Sequence, residues 1–350
     1  MTSIAAPPAL KGGLLALLAA ALFGLSTPLV QYFGQGLGAF TTAALLYAGA
    51  AVVALLMRQP PEREAGLRRS DLPRIVAMAV FGAVMGPVAL AWGLQRTSGS
   101  SASLMLTLEA LFTAVLAWRL YGETMDKRVG LAMLFLLAGG VALVAEQGLA
   151  GGAQLSGLLA VLLATAAWGV DNTLSRGVSE RDPGQVVLAK STLGVIATLC
   201  LALLFGERIP AIIAAAALLA IGATGYGLSL RLYLLAQRAF GAGRTGSVFA
   251  FAPFIGALAA FAFGSRSGTW MLAAGGVFML AGVVLHLFES HGHAHEHEAM
   301  AHEHAHSHDD GHHLHTHSPM PAGSHSHAHR HEPVQHAHPH VPDTHHLHSH

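Results

Sequence analysis

The chain has 350 residues, 53% of them apolar and only 11% charged, with a mean hydropathy of +0.51. A water-soluble domain carries about 25% charged residues, so a soluble enzyme is excluded, and 19 basic against 19 acidic residues exclude a charge-driven nucleic-acid partner. The single cysteine, Cys200, excludes an internal disulfide framework or a multi-cysteine zinc site, and all 24 histidines lie at position 286 or later.

About 20 mostly apolar residues in a helix cross the hydrocarbon core of a bilayer. Ten such segments follow one another, near 13–33, 38–57, 74–95, 100–119, 129–145, 155–176, 185–205, 212–237, 245–264 and 270–288. The first has an apolar run longer than a signal-peptide core and reads as a retained helix. With the N-terminus placed in the cytoplasm, thirteen basic residues fall inside and only Arg96, Arg208 and Arg266 outside. That bias puts both termini in the cytoplasm of a bacterial-type inner (plasma) membrane.

Charged residues inside a bilayer are costly and mark partners or pathways. Glu109 sits near the middle of the fourth segment. It is either a protonatable carboxylate that couples proton movement to a solute, or the acid of a permanent ion pair with a base such as Arg231. Asp171 in the sixth segment and Lys190 in the seventh lie at similar depth and are expected to pair across their hairpin, as a structural couple or as a gate. Asn172 extends that polar patch. Arg231 in the eighth segment snorkels to the cytoplasm, pairs with Glu109 or binds an anionic group of a solute. Trp92, Gln95, Trp168, Tyr226 and Tyr233 complete the cavity or gate candidates, although single aromatics also serve as packing or lipid-interface residues. With no histidine before His286, the body has no Ser-His-Asp arrangement, and it has no phosphate-binding loop. An enzyme is not expected, and no cofactor is required.

The body repeats. A shift of 145 places Leu17, Leu18, Ala19, Ala21, Gly24 and Leu29 on Leu162, Leu163, Ala164, Ala166, Gly169 and Leu174, and Phe23 on Trp168. A shift of 143 places Leu137, Ala138, Gly139 and Val141 on Leu280, Ala281, Gly282 and Val284. Because each repeat has five helices, the second enters the membrane from the opposite side, a transporter plan with the solute site between the halves. The chain divides into a short N-terminus (1–11), a first repeat (12–146), a second repeat (153–288) and a tail (290–350).

At Leu108-Glu109-Ala110-Leu111-Phe112-Thr113-Ala114-Val115-Leu116-Ala117, followed by Gly122-Glu123, the chain resembles the drug/metabolite transporter superfamily with two EamA-type repeats. Ala110 stands where that family usually has proline. The second repeat keeps the proline, as Ala252-Pro253-Phe254-Ile255-Gly256-Ala257-Leu258-Ala259, but has Arg266 where Glu123 stands in the first. The resemblance implies an all-α polytopic protein of ten transmembrane helices in two inverted five-helix repeats, working as a secondary transporter, often an exporter of small metabolites. It further implies a central cavity bounded by helices 1, 3, 4, 6, 8 and 9, and helices 5 and 10 at a periphery that can mediate a homodimer.

The tail has a different chemistry. Residues 290–350 hold 23 histidines, many at alternate positions: His291, His293, His295 and His297; His302, His304, His306 and His308; His325, His327, His329 and His331. Prolines and a lack of large apolar residues predict a disordered cytoplasmic tail. Neutral imidazoles in a flexible chain converge on Zn, Ni, Co or Cu and bind it labilely. Seven carboxylates against Arg330 leave the tail at net −6 and favour cations. Three functions stay open. The first is an exporter of a small amino-acid-like or drug-like metabolite, with Glu109 as the proton-coupling candidate. The second is a Ni, Co or Zn exporter fed by the tail, and the third a membrane-tethered metal buffer or sensor. The partners implied are the lipid bilayer and a small solute, with no nucleic acid.

Overall fold

A computed structural model describes residues 8–59, 64–121, 127–240, 242–264 and 269–287, with the backbone of 291–297, 300–306, 325–331 and 334–340 in the tail. The body is all-helical. Its helices are α1 (Gly12–Phe33), α2 (Ala39–Leu56), α3 (Arg69–Leu94), α4 (Gly99–Tyr121), α5 (Lys127–Ala150), α6 (Gly152–Val178), α7 (Pro183–Leu204), α8 (Ile212–Arg238), α9 (Thr245–Ala262) and α10 (Trp270–Leu287). Among the described residues the first nine are long and apolar enough to span a bilayer, and the apolar stretch of the tenth, Trp270–Leu285, is shorter. Their leucines, isoleucines and phenylalanines are widely exposed, for example Leu56, Leu134, Leu203 and Phe263. In water that surface would be untenable, whereas lipid is its natural solvent.

The inverted repeat is visible in the interfaces. α1 packs on α8 and α9, and α6 packs correspondingly on α3 and α4. α2 lies against α8 as α7 lies against α3. The remaining large interfaces join equivalent helices, α2 with α7 and α5 with α10. Gly24 of α1 seats the Ala252 carbonyl and Ile255 of α9, and Gly169 of α6 seats Phe112 of α4. Any larger residue at either position would hold those backbones apart.

Two irregularities repeat as well. α3 opens into a π-helical turn at Ala79–Met85, and α8 does so at Gly222–Leu228, at the shift of 143 seen in the sequence. α4 is interrupted at Leu106 and Thr107, and α9 at Ala250 and Phe251. In both, the ladder tightens to i→i−3 bonds: Thr107 N to Leu104 O at 3.0 Å, and Phe251 N to Val248 O at 3.2 Å. Pro253 starts the second half of α9. Ala110 cannot act that way, yet α4 breaks at the equivalent place. Tertiary packing therefore imposes the break, since alanine strongly favours an unbroken helix.

In the tail, His291–His297 pairs antiparallel with Val334–His340, and Met300–His306 with His325–His331. Alternation of histidine with small or polar residues suits a strand's two-residue period. His308, Gly122-Glu123 and Arg266 lie outside the described residues.

Candidate functional site: the central cavity

The four irregular helices, α3, α4, α8 and α9, meet α1, α2, α6 and α7 within their spanning segments. In α3 the π turn leaves the Gly82 carbonyl available to side chains, and it accepts from the Tyr47 hydroxyl of α2 and from Trp168 Nε1 of α6, the latter at 3.0 Å. Such turns are common at functional sites because they free backbone groups from the helical ladder. Beside Gly82, Lys190 Nζ of α7 is bonded to Asp171 Oδ2 of α6. A Cβ on Gly82 would overlap that carboxylate and stand 2.7 Å from the ammonium. Glycine is thus what lets the ion pair reach α3. Lys190 is 1% exposed and Asp171 3%.

Glu109 lies in the first turn of the second half of α4, immediately past the break, and accepts a hydrogen bond from Asn172 Nδ2 of α6. The positive end of that half-helix therefore points at the cavity, as in other discontinuous membrane helices that bind ions or solutes. Among the described residues Glu109 makes no ion pair. The pairing with Arg231 does not form: Arg231 Nη1 is buried without a hydrogen-bond partner and stands outside the cavity lining.

Aromatic rings line the rest. Phe23 meets Trp168 edge-on at 5.5 Å, Tyr226 at 5.8 Å and Phe249 at 5.5 Å; Tyr47 meets Tyr226 at 5.6 Å, and Tyr233 meets Phe249 at 5.0 Å. Phe23 and Trp168 are equivalent in the two repeats, so their contact lies where the repeats face each other. The free space among these groups is about 50 Å³. Small-molecule sites run to about 300–1,000 Å³, so in this conformation the cavity holds water but no organic solute.

Of the sequence-derived candidates, Glu109, Trp168, Asp171, Asn172, Lys190, Tyr226 and Tyr233 share this one cavity. Trp92 and Gln95 do not. They line a separate cleft of about 730 Å³ nearer the end of α3. Sequence reasoning missed Phe23, Tyr47 and Phe249 as lining residues. The match of Phe23 to Trp168 and the lone phenol midway along α2 were the available signals; Phe249 gave none. The described residues contain no group of three or more His, Cys, Asp or Glu placed to hold a metal ion.

Two five-helix repeats of opposite topology, with discontinuous helices around a polar, aromatic-lined centre, define a polytopic membrane permease. The chain belongs to the EamA-like transporter family, whose pattern matches residues 10–145 and again 155–288. It is similar to an uncharacterized transporter of Methanothermobacter thermautotrophicus, with 26% identity over 282 residues covering 75% of this chain and 82% of that protein. A solved crystal structure superposes with a TM-score of 0.57 at 19% identity, covering 79% of this chain and 96% of the other, and supports the fold.

Proposed function

We propose that this membrane transporter is a proton-coupled exporter of a small organic metabolite, with Glu109 as the proton carrier. The observation that carries this reading is a carboxylate midway along a spanning helix that makes no ion pair among the described residues, in a cavity whose other acid, Asp171, already has Lys190. A carboxylate held only by an amide can take up and release a proton without breaking an ion pair. The aromatic lining, Phe23, Trp168, Tyr226, Tyr233 and Phe249, suits an organic solute better than a hydrated metal ion. Amino-acid-like and drug-like molecules both fit that chemistry. Asp171, Asn172 and Lys190 shape the polar end of the site.

The basic residues near helix ends support cytoplasmic termini in a bacterial-type inner membrane. The tail then faces the cytoplasm, where its alternating histidines bind Zn, Ni, Co or Cu labilely as a separate function. α5 and α10, packed together at the edge, offer the face for a homodimer.

Glu109→Gln tests the coupling. In vesicles loaded with candidate metabolites, the wild type should carry protons against solute, read by an internal pH dye. The glutamine variant should fold and lose at least about tenfold of that proton flux, the scale of losing a transition-limiting interaction worth about 1.4 kcal/mol. A folded variant with unchanged coupled flux would remove Glu109 from the mechanism.

A further inference from the structure

A cavity too small for its solute must open, and an inverted repeat makes the ties at one face counterparts of those at the other. The basic face, which carries the α2–α3 and α6–α7 connections, is tied shut. Glu64 stands five residues before α3, and Arg238 Nη1 donates to both its oxygens, at 2.7 and 3.0 Å. The segment around Glu64 is docked on the start of α7: Asp182 N donates to Ala65 O at 2.7 Å and Leu67 N to Gln185 Oε1 at 3.1 Å. Arg238 ends α8, which is bound to α1 through Ser229 Oγ to Ala19 O at 2.8 Å.

The opposite face has the same parts in the same order. Glu207 stands five residues before α8 and is docked on the start of α2, accepting from Phe40 N at 3.2 Å, Thr41 N at 2.6 Å and Thr41 Oγ1 at 2.7 Å. Arg96 follows α3, which is packed on α6 where Gly93 meets Gly157. Here, however, the acid and the base are apart. Arg96 donates to Trp92 O at 2.9 Å with its guanidinium 3.7 Å over the Trp92 ring, and it and Glu207 both line the 730 Å³ cleft. Three bonds leave the Glu207 carboxylate room for one more donor of its approximately four acceptor positions. It can therefore meet an arginine without releasing α2.

We propose that Arg96 and Glu207 are the latch of this second face: they join and close the cleft when Glu64 and Arg238 part. The conformation described is then the one closed at the basic face, and the two charge pairs alternate. The inference rests on the chain being a transporter and not on Glu109 carrying the proton.

Spin labels at Leu159→Cys and Ile209→Cys, both exposed and within two residues of the cleft-lining Ala160 and Glu207, report its width in the full chain carrying Cys200→Ala in lipid nanodiscs. Adding Arg238→Ala should shift the inter-label distances toward a shorter population. Glu64→Gln should do the same while keeping the Arg238 bonds to the Ser179 and Arg181 carbonyls, which guards against misfolding of the alanine variant. Arg96→Ala added to either should abolish the short population. Distances unmoved by cutting the basic-face pair, or a short population that survives Arg96→Ala, would overturn the proposal. Because no solute is used, the result stands apart from the Glu109 test.

Discussion

A lysine and an aspartate within spanning helices are tolerated because each removes the other's reason to be in water. Taken singly, either costs about 2.5–3.5 kcal/mol at the centre of a spanning helix. The pair Lys190–Asp171 therefore predicts a steep asymmetry. Asp171→Asn leaves a buried ammonium and should cost about 3–5 kcal/mol, whereas Asp171→Asn with Lys190→Met should recover most of that loss. Thermal unfolding of purified protein in detergent checks both. Gly82→Ala should also destabilise, by about 1–3 kcal/mol of overpacking, because its methyl would displace the same pair. Double substitution with Lys190→Met should soften that cost, and an unchanged midpoint for Gly82→Ala would mean α3 is not held against the pair. The residues of this cluster were legible in the sequence as intramembrane charges. That Glu109 takes Asn172 and not Arg231 was not, since the choice depends on how α8 is rotated.

Helix irregularities are set by position in the fold more than by local residue type. α4 and α9 break at equivalent places although one has Ala110 and the other Pro253. Pro253→Ala should accordingly keep the break and change stability by about 1 kcal/mol or less, the usual size of an effect exerted through the unfolded chain. A thermal midpoint displaced well beyond that would show the proline itself to be the cause. The same reasoning explains why the π turns were not foreseen. Ala79–Met85 is followed by Pro87, and Gly222–Leu228 holds three glycines, signals that mark a weak point in a helix without specifying a π turn. Only the approach of Tyr47, Trp168 and the Asp171–Lys190 pair to Gly82 gives the α3 turn its use.

At the scale of the whole molecule, a transport body and a histidine tail are joined end to end, and they should be separable. Removing residues 290–350 should leave solute transport unchanged. It should also remove the capacity to bind Zn or Ni measured by equilibrium dialysis. In the full chain that binding should fall as pH drops through about 6.5, because protonated imidazole cannot ligate metal. Retention of tail-deleted transport with pH-dependent metal binding in the intact chain keeps the two functions apart. Metal content of cells under Ni, Co or Zn load that drops with the full chain, and requires Glu109, would instead make metal the cargo.

Nine of the ten expected spanning helices, their order, the repeat and the family were legible in the amino-acid sequence, because burial in lipid demands long apolar helices and a duplicated plan leaves matching glycines such as Gly24 and Gly169. The intramembrane charges were legible for the same reason: they are rare where the solvent is hydrocarbon. The Lys190–Asp171 pair was expected from their matching depth, but tertiary packing alone left Glu109 with an amide, sent Trp92 and Gln95 to a second cleft and brought Phe23 onto Trp168. Side-chain partners depend on helix rotation and depth, and those follow from packing between helices distant in the chain, which no local pattern encodes.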